Sequence, residues 1–220
     1  MNKIHLLGSS SYTVAIIADI IQEMKDVTSF ALYPNLKDVD SPITPLKTEK
    51  FEMMPLGCAP GNTEKVFFAT AGPKNKLDIY THFFRNHSIG KEQYYKVVHP
   101  SAYIAPSSQI ENGVLIEPGV VISSQSKIEF GVFVKRGSLI GHHNSIGAYT
   151  DINPGVVISG AVTIGEFCSI GSGAVLKNNI HIGDNTIIGV GSVVTKNIPA
   201  NCIAYGNPCK VVRNNTSNEE

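Results

Sequence analysis

The 220-residue chain carries eighteen basic and eighteen acidic residues, so no excess of charge marks it for nucleic acid. Charged residues make up only 16%, while glycine (20) and proline (12) are frequent. That balance is too apolar for disorder and too rich in turn formers for a helical bundle.

The N-terminus has a signal-like outline, Lys3 followed by an apolar stretch over residues 4–18. Gly8-Ser9-Ser10-Ser11 interrupts that stretch, and no small-x-small cleavage site follows. No apolar run approaches the ~20 residues that span a bilayer. The four cysteines, Cys58, Cys168, Cys202 and Cys209, have neither a disulfide framework's density nor metal-ligand spacing. Reduced thiols in a soluble, cytoplasmic protein without membrane insertion are the expectation.

Residues 4–7 read as a short strand running into Gly8, after which Val14, Ile17, Ala18, Ile21 and Met24 fall at helical spacing. A second strand is expected at 29–33. A Pro/Gly-rich stretch over 42–61 precedes a third strand at 65–70, and Gly72-Pro73 opens a helix over about 74–86. Alternating strand and helix predicts a small parallel α/β unit. The strand–glycine–helix junction makes Gly8, Ser9, Ser10, Ser11 and Tyr12 candidate substrate contacts, because such junctions set phosphates on helix N-terminal amides. Only Gly8 of the usual glycine fingerprint is present, so taken alone the motif reads first as a plain tight turn and second as a nucleotide site.

From residue 98 a different pattern takes over. Val98, Ile104, Ile110, Ile116, Ile122, Ile128, Val134, Ile140, Ile146, Ile152, Ile158, Ile164, Ile170, Leu176, Ile182, Ile188 and Val194 recur every sixth position without a gap. Small residues mostly stand two positions earlier, and glycine often follows. A period of six drifts off any helix face. It suits a short strand and a tight corner, three of which close one triangular coil, so that residues eighteen apart stack and the aliphatic ladder fills the interior.

The pattern [LIV]-[GAED]-x-x-[STAV]-x resembles the hexapeptide-repeat family, which implies a left-handed parallel β-helix; the hand comes from the resemblance alone. A small Rossmann-like α/β N-terminal domain (1–95), then "HPSAYIAPSSQI" and the uninterrupted repeat (96–213), resembles the sugar O- and N-acetyltransferases of bacterial surface-glycan pathways. Residues 214–220 read as a flexible tail. The resemblance implies acetyl-CoA as co-substrate, a nucleotide-linked amino-sugar held by the N-terminal domain, and a homotrimer with acetyl-CoA in the groove between β-helices. The flat, poorly charged side expected to carry the trimer contact includes Tyr149, Ile152 and Val156.

In that family the catalytic histidine lies two residues after an aliphatic position, usually followed by an acid. Here the segment is Ile140-Gly141-His142-His143-Asn144, which makes His142 the expected general base and puts His143 where the carboxylate would be. Two imidazoles do not reproduce a carboxylate's charge, so the acid is either missing or supplied from elsewhere by Asp151. Asp151 occupies the register of a second histidine near the thioester in relatives. The resemblance also lines the cofactor groove with Ser172, Gly173, Val190 and Gly191, and makes Lys196 and Lys210 partners for the CoA phosphates. His5, His82, His87, His99 and His181 are scattered, and no third ligand is spaced for a metal. N-acetylation of a nucleotide-linked 4-amino-sugar is the leading expectation. O-acetylation of sialic acid or a related surface sugar, and a non-catalytic hexapeptide scaffold, are the alternatives.

Overall fold

The computed structural model describes residues 2–8, 11–24, 27–34 and 51–215. The chain divides into two compact units, Met1–Pro100 and Ser101–Glu220.

The first unit is built on four parallel strands, β1 (Asn2–Leu7), β2 (Val27–Tyr33), β3 (Phe51–Met53) and β4 (Val66–Phe68), in the order β3-β2-β1-β4. Residues 4–7 of β1 and 30–33 of β2 are buried one after another, because both faces of a parallel sheet are covered. Helix α1 (Ser11–Glu23) follows β1, and α2 (Pro73–His87) follows β4. Val14, Ile17, Ala18 and Ile21 of α1 are buried, as their spacing requires. The strand β3 falls in the segment read as a connection; three residues are too short for a periodic signal.

Gly8 forms the junction between β1 and α1 and has φ +102°, a conformation side chains resist. A Cβ there would also lie 2.5 Å from Ile79 Cδ1 on α2, so that side chain would have to shift. Buried His5 sits 2.9 Å through Nδ1 from the Tyr33 hydroxyl, with Glu64 at 3.5 Å from Nε2. Burial lowers the proton affinity of His5 and pushes the Tyr33 hydroxyl up to about 12.

The second unit is a three-sided parallel coil. One face stacks Tyr103–Ile104, Val121–Ile122, Leu139–Ile140, Val157–Ile158, Val175–Leu176 and Val193–Val194. The next stacks Gln109–Ile110, Lys127–Ile128, Ser145–Ile146, Thr163–Ile164 and His181–Ile182. The third stacks Leu115–Ile116, Phe133–Val134, Asp151–Ile152, Ser169–Ile170 and Ile187–Ile188. Partners are eighteen residues apart, as in Ile140↔Ile158 and Ile158↔Leu176. The parallel faces and hexapeptide period fit a left-handed β-helix. From Ile116 to Val194 every residue of the aliphatic ladder is buried. Each buries its side chain against the coils above and below, which is the main stabilising term of such a stack.

The residue before each ladder position points outward, which corrects the expected trimer surface. Ile152 and Val156 face the interior, and Tyr149 is buried at a corner between Phe130 and Phe167. The outward row of the first face is apolar instead: Tyr103, Val121, Leu139, Val157, Val175 and Val193. Leu139, in the middle of this row, is 45% exposed.

The coil closes with Cys202–Gly206 laid parallel on Ile187–Ile188, then Cys209–Asn214 returning antiparallel. This hairpin was not anticipated from the tail's sequence. Residues 216–220 of the expected tail lie outside the described residues. Among the described residues no helix is long and apolar enough to cross a membrane, and no group of three or more His, Cys, Asp or Glu could hold a metal ion.

Candidate active site

Three columns of corners join the faces, and each has its own chemistry. Between the third and first faces the corners are glycine: Gly119, Gly137, Gly155, Gly173 and Gly191 all have φ near +65 to +69°. Between the first and second faces the same left-handed position holds Gln125, His143, Ala161 and Asn179. Placing a side chain there costs on the order of 1 kcal/mol at each corner.

His142 and His143 form one corner of this second column. The His143 N–H donates to Ser124 O (2.9 Å), and the Ala161 N–H donates to His142 O (2.8 Å), so the corner is bolted to its neighbours above and below. Both imidazoles are exposed. They stand nearly perpendicular (87°) with Nδ1 to Nδ1 at 3.0 Å, so one ring donates and the other accepts. With the proton on His142 Nδ1, the His142 Nε2 lone pair is free to take a proton. The imidazolium then formed keeps its Nδ1–H on His143, a charge-assisted bond stronger than its neutral form.

Gly160, eighteen residues beyond His142, is the floor under this ring. A Cβ at Gly160 would lie 2.5 Å from both Cε1 and Nε2 of His142. Its φ lies outside the left-handed region, so the backbone itself tolerates alanine. Gly160→Ala should therefore displace the imidazole and break the Nδ1···Nδ1 bond while barely moving Tm. Loss of the hydrogen-bonded imidazole proton from the NMR spectrum checks this. Sequence reading passed over Gly160, although the eighteen-residue stacking rule applied to His142 points straight at it.

The expected groove residues lie elsewhere on the coil. Ser172-Gly173 and Val190-Gly191 are successive glycine-column corners, joined by the Gly191 N–H to Ser172 O (2.9 Å). A Cβ on Gly173 or Gly191 would meet nothing within 4 Å, so the glycines answer to φ and leave open space beside the coil. Val190 is 79% exposed, a large apolar contact offered to solvent. Within one chain the width of the first face separates this column from His142. Lys196 and Lys210 are both exposed, Lys210 on the closing hairpin.

Asp151 lies on the third face, the one that does not reach the His142 corner. Its carboxylate is buried, 3.9 Å from Lys135 Nζ, and Lys135 also donates to Asn153 Oδ1 at 2.7 Å. Asp151 therefore does not replace the missing acid beside His142 in the same chain, because the opposite side of a triangular coil is out of reach. In the first unit, Gly8 and Tyr12 flank the start of α1, with Tyr12 84% exposed; Ser11 opens the helix, and Ser9 and Ser10 lie outside the described residues.

Residues 161–196 match the model of the bacterial transferase hexapeptide family (six repeats). No curated protein matches the chain. Among solved structures, it is similar to the acetyltransferase domain of PglB from Neisseria gonorrhoeae FA1090 in complex with acetyl coenzyme A (21% identity, 96% of this chain and 99% of that one, TM-score 0.76). It is similar to PerB from Caulobacter crescentus in complex with CoA and GDP-perosamine (22%, 96% and 97%, TM-score 0.73). WeeI from Acinetobacter baumannii AYE is a third such match (23%, 95% and 99%, TM-score 0.76). The chain thus carries the bacterial transferase hexapeptide repeat over residues 161–196 and has, over nearly its whole length, the fold of these three structures.

Proposed function

We propose that the protein moves the acetyl group of acetyl-CoA onto the amino group of a nucleotide-linked amino-sugar, with His142 as general base. The observation that carries this reading is the exposed His142–His143 pair, poised on a corner of a β-helix whose structural relatives were solved with CoA and an amino-sugar nucleotide. The amine attacks the thioester carbonyl carbon, and the resulting tetrahedral adduct collapses with loss of the CoA thiolate. His142 Nε2 takes the proton that the nitrogen must lose, and the thiolate leaves to be protonated as free CoA. His143 holds the His142 tautomer by accepting its Nδ1–H.

Gly173 and Gly191 leave space for pantetheine beside the coil, Ser172 and Val190 offer polar and apolar contacts, and Lys210 is free to meet phosphates. The strand order β3-β2-β1-β4 is that of a mononucleotide-binding half-sheet. In this reading the first unit is the Rossmann-like domain, and Gly8 through Tyr12, at the carboxyl end of β1, receive the nucleotide.

Because His142 and the glycine column stand at opposite edges of the first face, the site is completed by another copy of the chain. The apolar outward row of that face is the contact surface of a homotrimer. Light scattering should give three times the chain mass at micromolar concentration. Leu139→Glu should release monomers and abolish turnover; a monomeric native protein would remove the intersubunit site. The reaction belongs to the cytoplasm, where free thiols such as exposed Cys58 stay reduced.

The test is release of free CoA over a panel of nucleotide-linked amino-sugars, paired with thermal shifts by acetyl-CoA and by nucleotides. Turnover with an amino-sugar and stabilisation by both ligands support the reading. Stabilisation by acetyl-CoA alone, with turnover on a hydroxyl acceptor, turns it to O-acetylation. Neither response makes the coil a scaffold.

A further inference from the structure

Beside the His142 corner runs a column of side chains in the small slot two residues before the ladder: half-buried Ser108, then buried Ser126, Asn144, Val162 and Ile180. The serines obey one rule. Ser108 Oγ donates to Ser123 O at 2.7 Å and accepts the Ser126 N–H at 3.0 Å. Ser126 Oγ donates to Gly141 O at 2.9 Å and accepts the Asn144 N–H at 3.2 Å. Each hydroxyl therefore pins the carbonyl entering the next coil's corner and the amide leaving it.

Asn144 extends the rule by one bond. Its Oδ1 accepts the Val162 N–H (2.7 Å) and its Nδ2 donates to Ser159 O (3.0 Å), which repeats the serine pattern. Its second amide hydrogen reaches back to Gly141 O at 2.8 Å. Gly141 O, the carbonyl immediately before His142, is thus held by Ser126 of the preceding coil and by Asn144 of its own coil, a residue only 2% exposed. The Ser159 carbonyl, immediately before the Gly160 floor, is held by the same amide group. One buried asparagine thereby ties together the backbone entering His142 and the backbone entering the surface its ring rests on.

We propose that Ser126 and Asn144 are positioning residues for the His142 imidazole. They act by clamping the Gly141 and Ser159 carbonyls so that the corner, with a side chain forced into the left-handed region at His143, cannot relax out of the Nδ1···Nδ1 contact. The proposal rests on His142 being the base. A fully satisfied buried polar network is costly to leave partly unpaired, which makes it a stiff support.

Asn144→Ser isolates the extra bond, since a serine there reproduces the bonds to Ser159 O and Val162 N–H and loses only the one to Gly141 O. In the full-length protein, kcat should fall about 10- to 100-fold with KM for acetyl-CoA unchanged. The histidine nitrogen NMR signals, assigned with His142→Gln and His143→Gln, should change from one fixed tautomer at His142 to an average of two. Ser126→Ala should move the same signals in the same direction, and serves if the first variant fails to fold. A lowered Tm with an unchanged His142 tautomer in both variants would make the column merely structural and overturn the proposal. Should the native protein release no CoA from any acceptor, the proposed reaction fails, and the NMR comparison still decides whether the column holds the imidazole.

Discussion

His142→Ala should lower kcat by about 10²- to 10⁴-fold, the range for removal of a general base. Acetyl-CoA binding should change little, because the glycine column that would carry it is separate from the His142 corner and built from backbone and small side chains. His143→Ala should be milder, since no proton passes through that ring; it removes only the acceptor at 3.0 Å that fixes the His142 tautomer. His143→Glu replaces a neutral acceptor by an anion, which favours the protonated form of His142. A base must be unprotonated to act, so the acidic limb of the pH–rate profile should move to higher pH in that variant. Steady-state turnover of the three variants over a pH series, at one fixed acceptor, is the measurement. If His143→Ala is inactive and His142→Ala is close to normal, the shared proton sits the other way round and His143 is the base. Full turnover in both would move the active site to another part of the coil.

Ile158→Asp should be the most damaging single substitution in the coil. Ile158 is buried in the ladder between Ile140 and Leu176, with only aliphatic neighbours in register above and below. A carboxylate there finds neither water nor a cation, so it must stay buried and unpaired or take up a proton, at a cost of several kcal/mol. For a chain of this size a loss of ~5 kcal/mol lowers Tm by roughly 10–20 °C. Thr163→Asp, at an exposed outward position, is the matched control and should melt like the native protein. Native yield and melting for Ile158→Asp would mean that the ladder is out of phase by at least one residue.

The phase of the coil was legible because its cause is local and repeated. Each hexapeptide needs one aliphatic residue to fill the interior and one residue able to turn, so a single mistake in register would have exposed the whole ladder. The strand–glycine–helix junction at Gly8 was legible for a similar reason, since φ +102° admits little but glycine. His142 stood out by its place two residues after the ladder position Ile140, the register that the family resemblance gives to the general base.

The residues around that pair were decided only by the closed coil. Reading Tyr149, Ile152 and Val156 as an outer surface failed against the coil's own phase: Ile152 is a ladder residue and Val156 fills the small slot before Ile158, so both face inward, while Tyr149 is packed at a corner by Phe130 and Phe167 from the neighbouring coils. Asp151 is only nine positions from His142 in sequence, yet those nine residues, one and a half sides of the triangle, carry it to the opposite face. Gly160 and Asn144 carry no chemical signature of their own. They matter because stacking at eighteen residues sets one beneath the His142 ring and lets the other bond two successive corners at once. Local sequence determined the coil and its period, through backbone sterics and the burial of one side chain in six. Which side chains meet at a corner was settled by the rise of one coil on the next, an interaction between segments that no short stretch of sequence contains.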